Sequence, residues 1–178
     1  MEKQSASKSS GKNRFFLKLT TREKSIALAF LAALLAGLWL PTRIIVSTSK
    51  SLEHRVFFMT KGDMNNIKDG DYLVFRHHDT PFVYQGIVKD TLYIKKVGCS
   101  PGQTLRRSDN NQFFCEQTLL GKALARDSKG RDLPQFTFNG LVPANSFFVV
   151  GTHPRSFDSK YFGFIHADEI IHKALPLW

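Results

Sequence analysis

The chain has 178 residues, 42% of them hydrophobic, with 12 Gly, 16 Phe and two Cys, which suits one domain of strands and turns plus appendages better than a helical bundle. Its net charge of +10 would fit a nucleic-acid binder, yet residues 1–24 hold seven basic and two acidic side chains, half of that excess, ahead of a single apolar segment. The remaining charge forms no basic stripe, so the balance reads as membrane topology and argues against nucleic acid as a partner.

Residues 1–24 read as a basic cytoplasmic tail, the first 13 disordered by their Ser, Lys and Gly content. Residues 25–42 (SIALAFLAALLAGLWLPT) are uncharged; as a helix they span ~27 Å, enough for the hydrocarbon core of a bilayer. Thr20 and Glu23 have capping-box spacing before them. A cleaved signal peptide is the competing reading, but no small-x-small site closes the run, which ends Leu38-Trp39-Leu40-Pro41. An uncleaved anchor is expected, sending residues 43–178 to the outer face of a bacterial inner membrane, into the periplasm.

Beyond the anchor, short runs rich in Phe, Val, Tyr and Ile alternate with turn signals. They predict strands at Arg55–Thr60, Asp71–His77, Phe82–Val88, Thr91–Val97, Thr104–Ser108, Gln112–Cys115, Phe136–Phe138 and Ser146–Val150. A short helix is expected near Ala167–Lys173. The result is one mostly antiparallel β domain. Cys99 and Cys115 flank a predicted hairpin, and an exported domain permits a bridge between them; two free thiols are the alternative. The six His show no metal-binding spacing, and His77-His78 reads as a loop pair.

Four stretches stand out in order: STSKSLEHRV at 47–56, DGDYLVF at 69–75, LYIKKVGCSPG at 92–102, and residues 142–165, with VPANSFFVVG and SFDSKYFGFI. A serine hydroxyl becomes a useful nucleophile only beside a base. A lysine serves as that base only when burial drops its pKa from ~10.4 towards ~7–8. Lys95 stands in an apolar strand, and alternation sends Lys95 and Lys96 to opposite faces, without saying which face is buried.

These stretches together resemble the boxes of the signal peptidase I (S26) serine endopeptidases over residues 41–178, the second half being most similar to the TraF-like branch that matures pilin for conjugative transfer. The resemblance implies coiled antiparallel β-sheets behind one N-terminal transmembrane helix. It also implies Ser51 as nucleophile and Lys95 as general base. Ser49 and the Ser51 backbone N–H would form the oxyanion hole, with Ser156 orienting the lysine and Asp158 supporting the site. No cofactor or metal is implied. The partners it suggests are a precursor protein (pilin or another exported precursor), the lipid bilayer and components of type IV secretion. Pilin cyclisation by the same site, or a non-catalytic assembly role, are the alternatives. The chain departs from the family pattern at Gly151-Thr152-His153, Gln103, His54 and Lys160.

Overall fold

The computed structural model describes residues 20–61, 66–76 and 92–178. The expected strand Phe82–Val88, the His77-His78 pair and most of the basic tail lie outside the described residues. Two compact units divide at Pro41/Thr42.

The first unit is a single helix, α1 (Thr21–Trp39), continued by a 3-10 turn over Leu40–Arg43. It starts four residues before the uncharged run because Thr20 caps it: the Glu23 N–H donates to Thr20 Oγ1, and Thr20 N–H donates to the Glu23 carboxylate at 2.7 Å. No side chain of α1 is buried, and Leu28, Phe30, Leu34 and Leu38 are exposed on all sides. A helix apolar all round is not a surface helix of a globular domain. The span Thr21–Arg43 is long and apolar enough to cross a membrane.

Among its described residues the second unit has eleven strands: β1 (Ile44–Val46), β2 (Val56–Thr60), β3 (Tyr72–Arg76), β4 (Leu92–Cys99), β5 (Thr104–Arg107), β6 (Gln112–Cys115), β7 (Thr118–Lys122), β8 (Gly140–Leu141), β9 (Ser146–Val150), β10 (Ile165–His166) and β11 (Ile170–Pro176), with a short helix α2 (Ser159–Phe162) before β10. They form a seven-stranded sheet, β1-β2-β11-β3-β4-β9-β10, and a four-stranded sheet, β7-β6-β5-β8. Every pairing between these strands is antiparallel. A Cys99–Cys115 disulfide ties the end of β4 to the end of β6 and so joins the sheets.

Alternation along β3 and β4 gives the large sheet two apolar faces. Leu73, Phe75, Val97 and Val149 pack on one side, while Tyr72, Val74 and Ile94 pack with Phe57 and Leu52 on the other. A third cluster fills the space around the disulfide, where Phe113 stacks on Phe148 with centroids 5.2 Å apart.

Two expectations are corrected. Phe136–Phe138 is not a strand: Phe136 and Phe138 instead surround Phe164, at centroid distances of 5.2 and 4.9 Å. This aromatic plug presses on Gly163, where the ring of Phe136 lies 2.9 Å from the site of a Cβ and φ is +87°, so only glycine fits. Ala167–Lys173 is not an α-helix either. It is a 3-10 turn, Ala167–Glu169, followed by β11, which pairs with β3 from Ile170 and with β2 from Lys173 and so lies between them. Cross-strand partners outweigh the weak local helical preference of this segment.

Candidate active site

Ser51 sits in a tight turn between β1 and β2, buried to 9% exposure. The turn is pinned from several directions. Leu52 enters the core, Glu53 accepts from Tyr72 Oη at 2.9 Å, and the Ser51 carbonyl accepts from the His153 N–H at 3.2 Å. Ser47 Oγ donates to the Ser49 carbonyl at 3.1 Å, shaping the approach. The Ser49 and Ser51 hydroxyls are hydrogen-bonded at 2.8 Å. With its backbone fixed, the nucleophile candidate keeps one freedom, rotation about χ1.

Lys95 lies in β4 opposite Leu73, on the same face as Tyr93 and Val97, and is 5% exposed. Its Nζ donates to Ser156 Oγ at 2.9 Å. Burial lowers its pKa from 10.5 to about 8; the Asp158 carboxylate opposes that shift and the Lys160 ammonium adds to it. Lys96 points to the opposite face, beside Gly70.

Asp158 is fully buried at the N-terminus of α2. One oxygen accepts from Lys160 Nζ at 2.7 Å and from the Gly151 N–H at 2.9 Å, and the other from the Lys160 N–H at 3.1 Å. Lys160 is 2% exposed, so this is a buried ion pair with its remaining lone pairs satisfied. A Cβ on Gly151 would lie 2.0 Å from Ser156 Oγ and 2.6 Å from the Ser51 carbonyl oxygen. Gly151 is therefore where the strand carrying Asp158's partner, the Ser51 turn and Ser156 converge, and no other residue leaves them room.

Ser51 and Lys95 line one cleft of about 410 Å³, with Ser49, Tyr93, His153 and Ser156. No Ser51–Lys95 hydrogen bond is present: each hydroxyl or amine is held by its own serine, Ser49 or Ser156. Catalytic hydrogen bonds are often open in substrate-free sites and tighten on binding. A second depression of about 210 Å³ runs between Ile45–Ser49 and Leu92–Lys95. Among the described residues β9 pairs with β4 only from Lys96 onward, so the backbone of Tyr93–Lys95 is open on that side.

The family model for signal peptidase, peptidase S26, matches residues 19–178. The chain belongs to the S26 signal peptidase family. The S26 family is one of serine endopeptidases, and the mostly β domain behind an apolar N-terminal helix is its architecture. A solved signal peptidase I from Enterococcus faecalis V583 is 20% identical, covering 64% of this chain and 97% of its own length with a TM-score of 0.39. A search of curated proteins returns no match.

In this S26 chain the structure gathers four of the five expected site residues, Ser49, Ser51, Lys95 and Ser156, into one cleft. Asp158 is not in the cleft lining; it is bonded to Gly151 and Lys160, and its charge acts on Lys95. Gly151 and Glu53 were not singled out from sequence as site residues. Gly151 leaves a trace, as the glycine that ends the apolar run Phe147–Val150. The Glu53–Tyr72 bond joins residues 19 apart and has no local signature.

Proposed function

We propose that the chain is a single-pass inner-membrane serine endopeptidase that cuts exported precursors with a Ser51–Lys95 dyad. Residues 1–24 stay in the cytoplasm, residues 25–42 span the bilayer, and residues 43–178 form the periplasmic catalytic domain. The observation that carries this reading is Lys95. It is a buried lysine with no carboxylate partner among the described residues, its pKa lowered by burial to about 8, in the cleft that holds Ser51.

Ser51 Oγ turns from Ser49 towards the scissile carbonyl and attacks its carbon, while its proton passes to Lys95 Nζ. The Ser49 hydroxyl released by that rotation and the Ser51 N–H hold the oxyanion; each such donor typically lowers the barrier by ~3–4 kcal/mol. Collapse expels the amine, which takes the proton from the Lys95 ammonium. Lys95, neutral again, removes a proton from water as that water attacks the acyl-enzyme, and returns it to Ser51 Oγ as the acid product leaves. Ser156 keeps Nζ aimed throughout. The substrate lies extended along the open edge of β4, its backbone supplying affinity.

The precursor most consistent with the 142–165 stretch and the TraF-like resemblance is the pilin of a conjugative transfer system, delivered alongside type IV secretion components. Intact mass spectrometry of pilin precursor co-expressed with wild type, Ser51→Ala or Lys95→Ala tests this. A shortened product with wild type alone is expected, and further loss of one water would reveal cyclisation. An unchanged precursor in all three would overturn the pilin assignment.

A further inference from the structure

A second pocket, of about 190 Å³, lies next to the catalytic cleft and shares a wall with it: Arg155 and Phe157 line both. Its floor is apolar, made of Leu124, Leu133, Phe157 and Tyr161. Its shape is built in. Phe157 stacks on the buried Tyr161 at 5.3 Å, and the Tyr161 hydroxyl accepts from the Leu124 N–H at 3.0 Å. Gln135 Nε2 donates to the Leu124 carbonyl at 2.9 Å, and the Leu133 N–H donates to the Ala125 carbonyl at 2.8 Å, closing the loop on itself.

The charges at its mouth do not cancel. Arg126 is paired with Asp132 at 3.0 Å and Asp127 with Arg131 at 2.7 Å. Arg155 is exposed and has no carboxylate partner among the described residues. Lys50, on the rim of the catalytic cleft, is likewise exposed and without one. A peptide leaving the cleft over the Arg155–Phe157 wall therefore meets an apolar socket the size of one side chain and a cation wanting a carboxylate.

We propose that this pocket is a remote substrate subsite, taking an apolar side chain of the precursor with an acidic residue adjacent to it, the carboxylate bound by Arg155. The assignment rests on the peptidase reading for the direction of the chain, but its binding test is separate from catalysis. The probe is a fluorescein-labelled decapeptide of Ala, Gly and Ser, unextended or extended at either end by Leu-Glu, Leu-Lys or Gly-Glu. Binding to full-length Ser51→Ala protein in detergent micelles is read by fluorescence anisotropy, with protein-free micelles subtracted.

The Leu-Glu extension at one end is expected to bind roughly tenfold tighter than the unextended peptide, as befits one buried leucine and one charge-assisted contact. Both Leu-Lys and Gly-Glu fall short of it. In the same background, Ser128→Trp, an exposed position at the pocket mouth, brings the Leu-Glu advantage towards one. Arg155→Glu shifts the preference from Leu-Glu to Leu-Lys. Equal binding of all peptides overturns the subsite, and so does a Leu-Glu preference that survives both substitutions. Cleavage of the unextended peptide by wild type reports on the peptidase reading alone: turnover with no extension preference sinks only the subsite, and preference without turnover sinks only the peptidase reading.

Discussion

Among the described residues of the β unit two lysines lie buried, Lys95 and Lys160, and they face different partners. Lys160, in α2, faces the Asp158 carboxylate at 2.7 Å. Lys95, in β4, faces a serine hydroxyl at 2.9 Å. An ammonium taken out of water needs an opposite charge; given one it becomes a fixture, and given only a hydroxyl it is inclined to lose its proton. The pair at Lys160 is also arranged so that its two charges act on Lys95 in opposite senses. One lysine holds the architecture and the other is left to titrate, as the proposed mechanism requires of its base.

Breaking the comparison at Lys95 has the largest expected effect. Lys95→Met removes the base and is expected to reduce kcat/KM by about 10³–10⁴-fold. Thermal unfolding should show no loss of stability, because an uncompensated buried amine is replaced by an apolar chain of similar length. A large drop in Tm would mean that Lys95 is structural. The wild-type pH profile sharpens the same point. The neutral amine is the active form, so kcat/KM rises about tenfold per pH unit below about 8 and levels above it. Stability follows the same group. The folded pKa lies below the unfolded value, so the penalty is complete below about 8 and is relieved as pH climbs towards 10.5. That rise should be missing from Lys95→Met.

Breaking the other side comes next. Asp158→Ala strands the Lys160 ammonium in the core and is expected to cost about 3–5 kcal/mol, read by urea denaturation. Gly151→Ala drives a methyl into Ser156 Oγ and the Ser51 carbonyl; overpacking of this kind costs about 1–3 kcal/mol. Because it displaces the group holding Nζ, kcat should fall further than stability alone explains, with KM little changed. Lys96→Met is the smallest change. On the opposite face of β4 it should alter stability by less than about 1 kcal/mol and turnover by less than about threefold.

How much of this was legible in the sequence follows from the range of each interaction. Turn chemistry and alternation are local, so β2, β3, β4, β5, β6 and β9 were visible as runs to within two residues at each end. β11 was not, because ADEIIHKAL carries acidic residues ahead of basic ones as a short helix would, and only its partners in β2 and β3 make it a strand. Phe136 and Phe138 alternate as a strand would, yet spend that alternation on Phe164. At the site, periodicity separated Lys95 from Lys96 but left open which was buried. The resemblance points to Lys95, and the structure buries it opposite Leu73, on the face of β4 that carries Val97. Gly151's role depends on three segments meeting, a fact held by no one of them.

The Cys99–Cys115 bridge has a consequence for timing. It closes a loop across 16 positions, a constraint worth about 3 kcal/mol in a chain-entropy account. It begins four residues after Lys95 in the same strand and fastens the half of the domain that carries the second pocket. While both sulfurs remain thiols, as in a reducing compartment, the two sheets are held by packing and by hydrogen bonds such as Gln103 Nε2 to Asp69. In the proposed topology the bridge closes only after export, so the stability it adds is gained on the periplasmic side of the membrane.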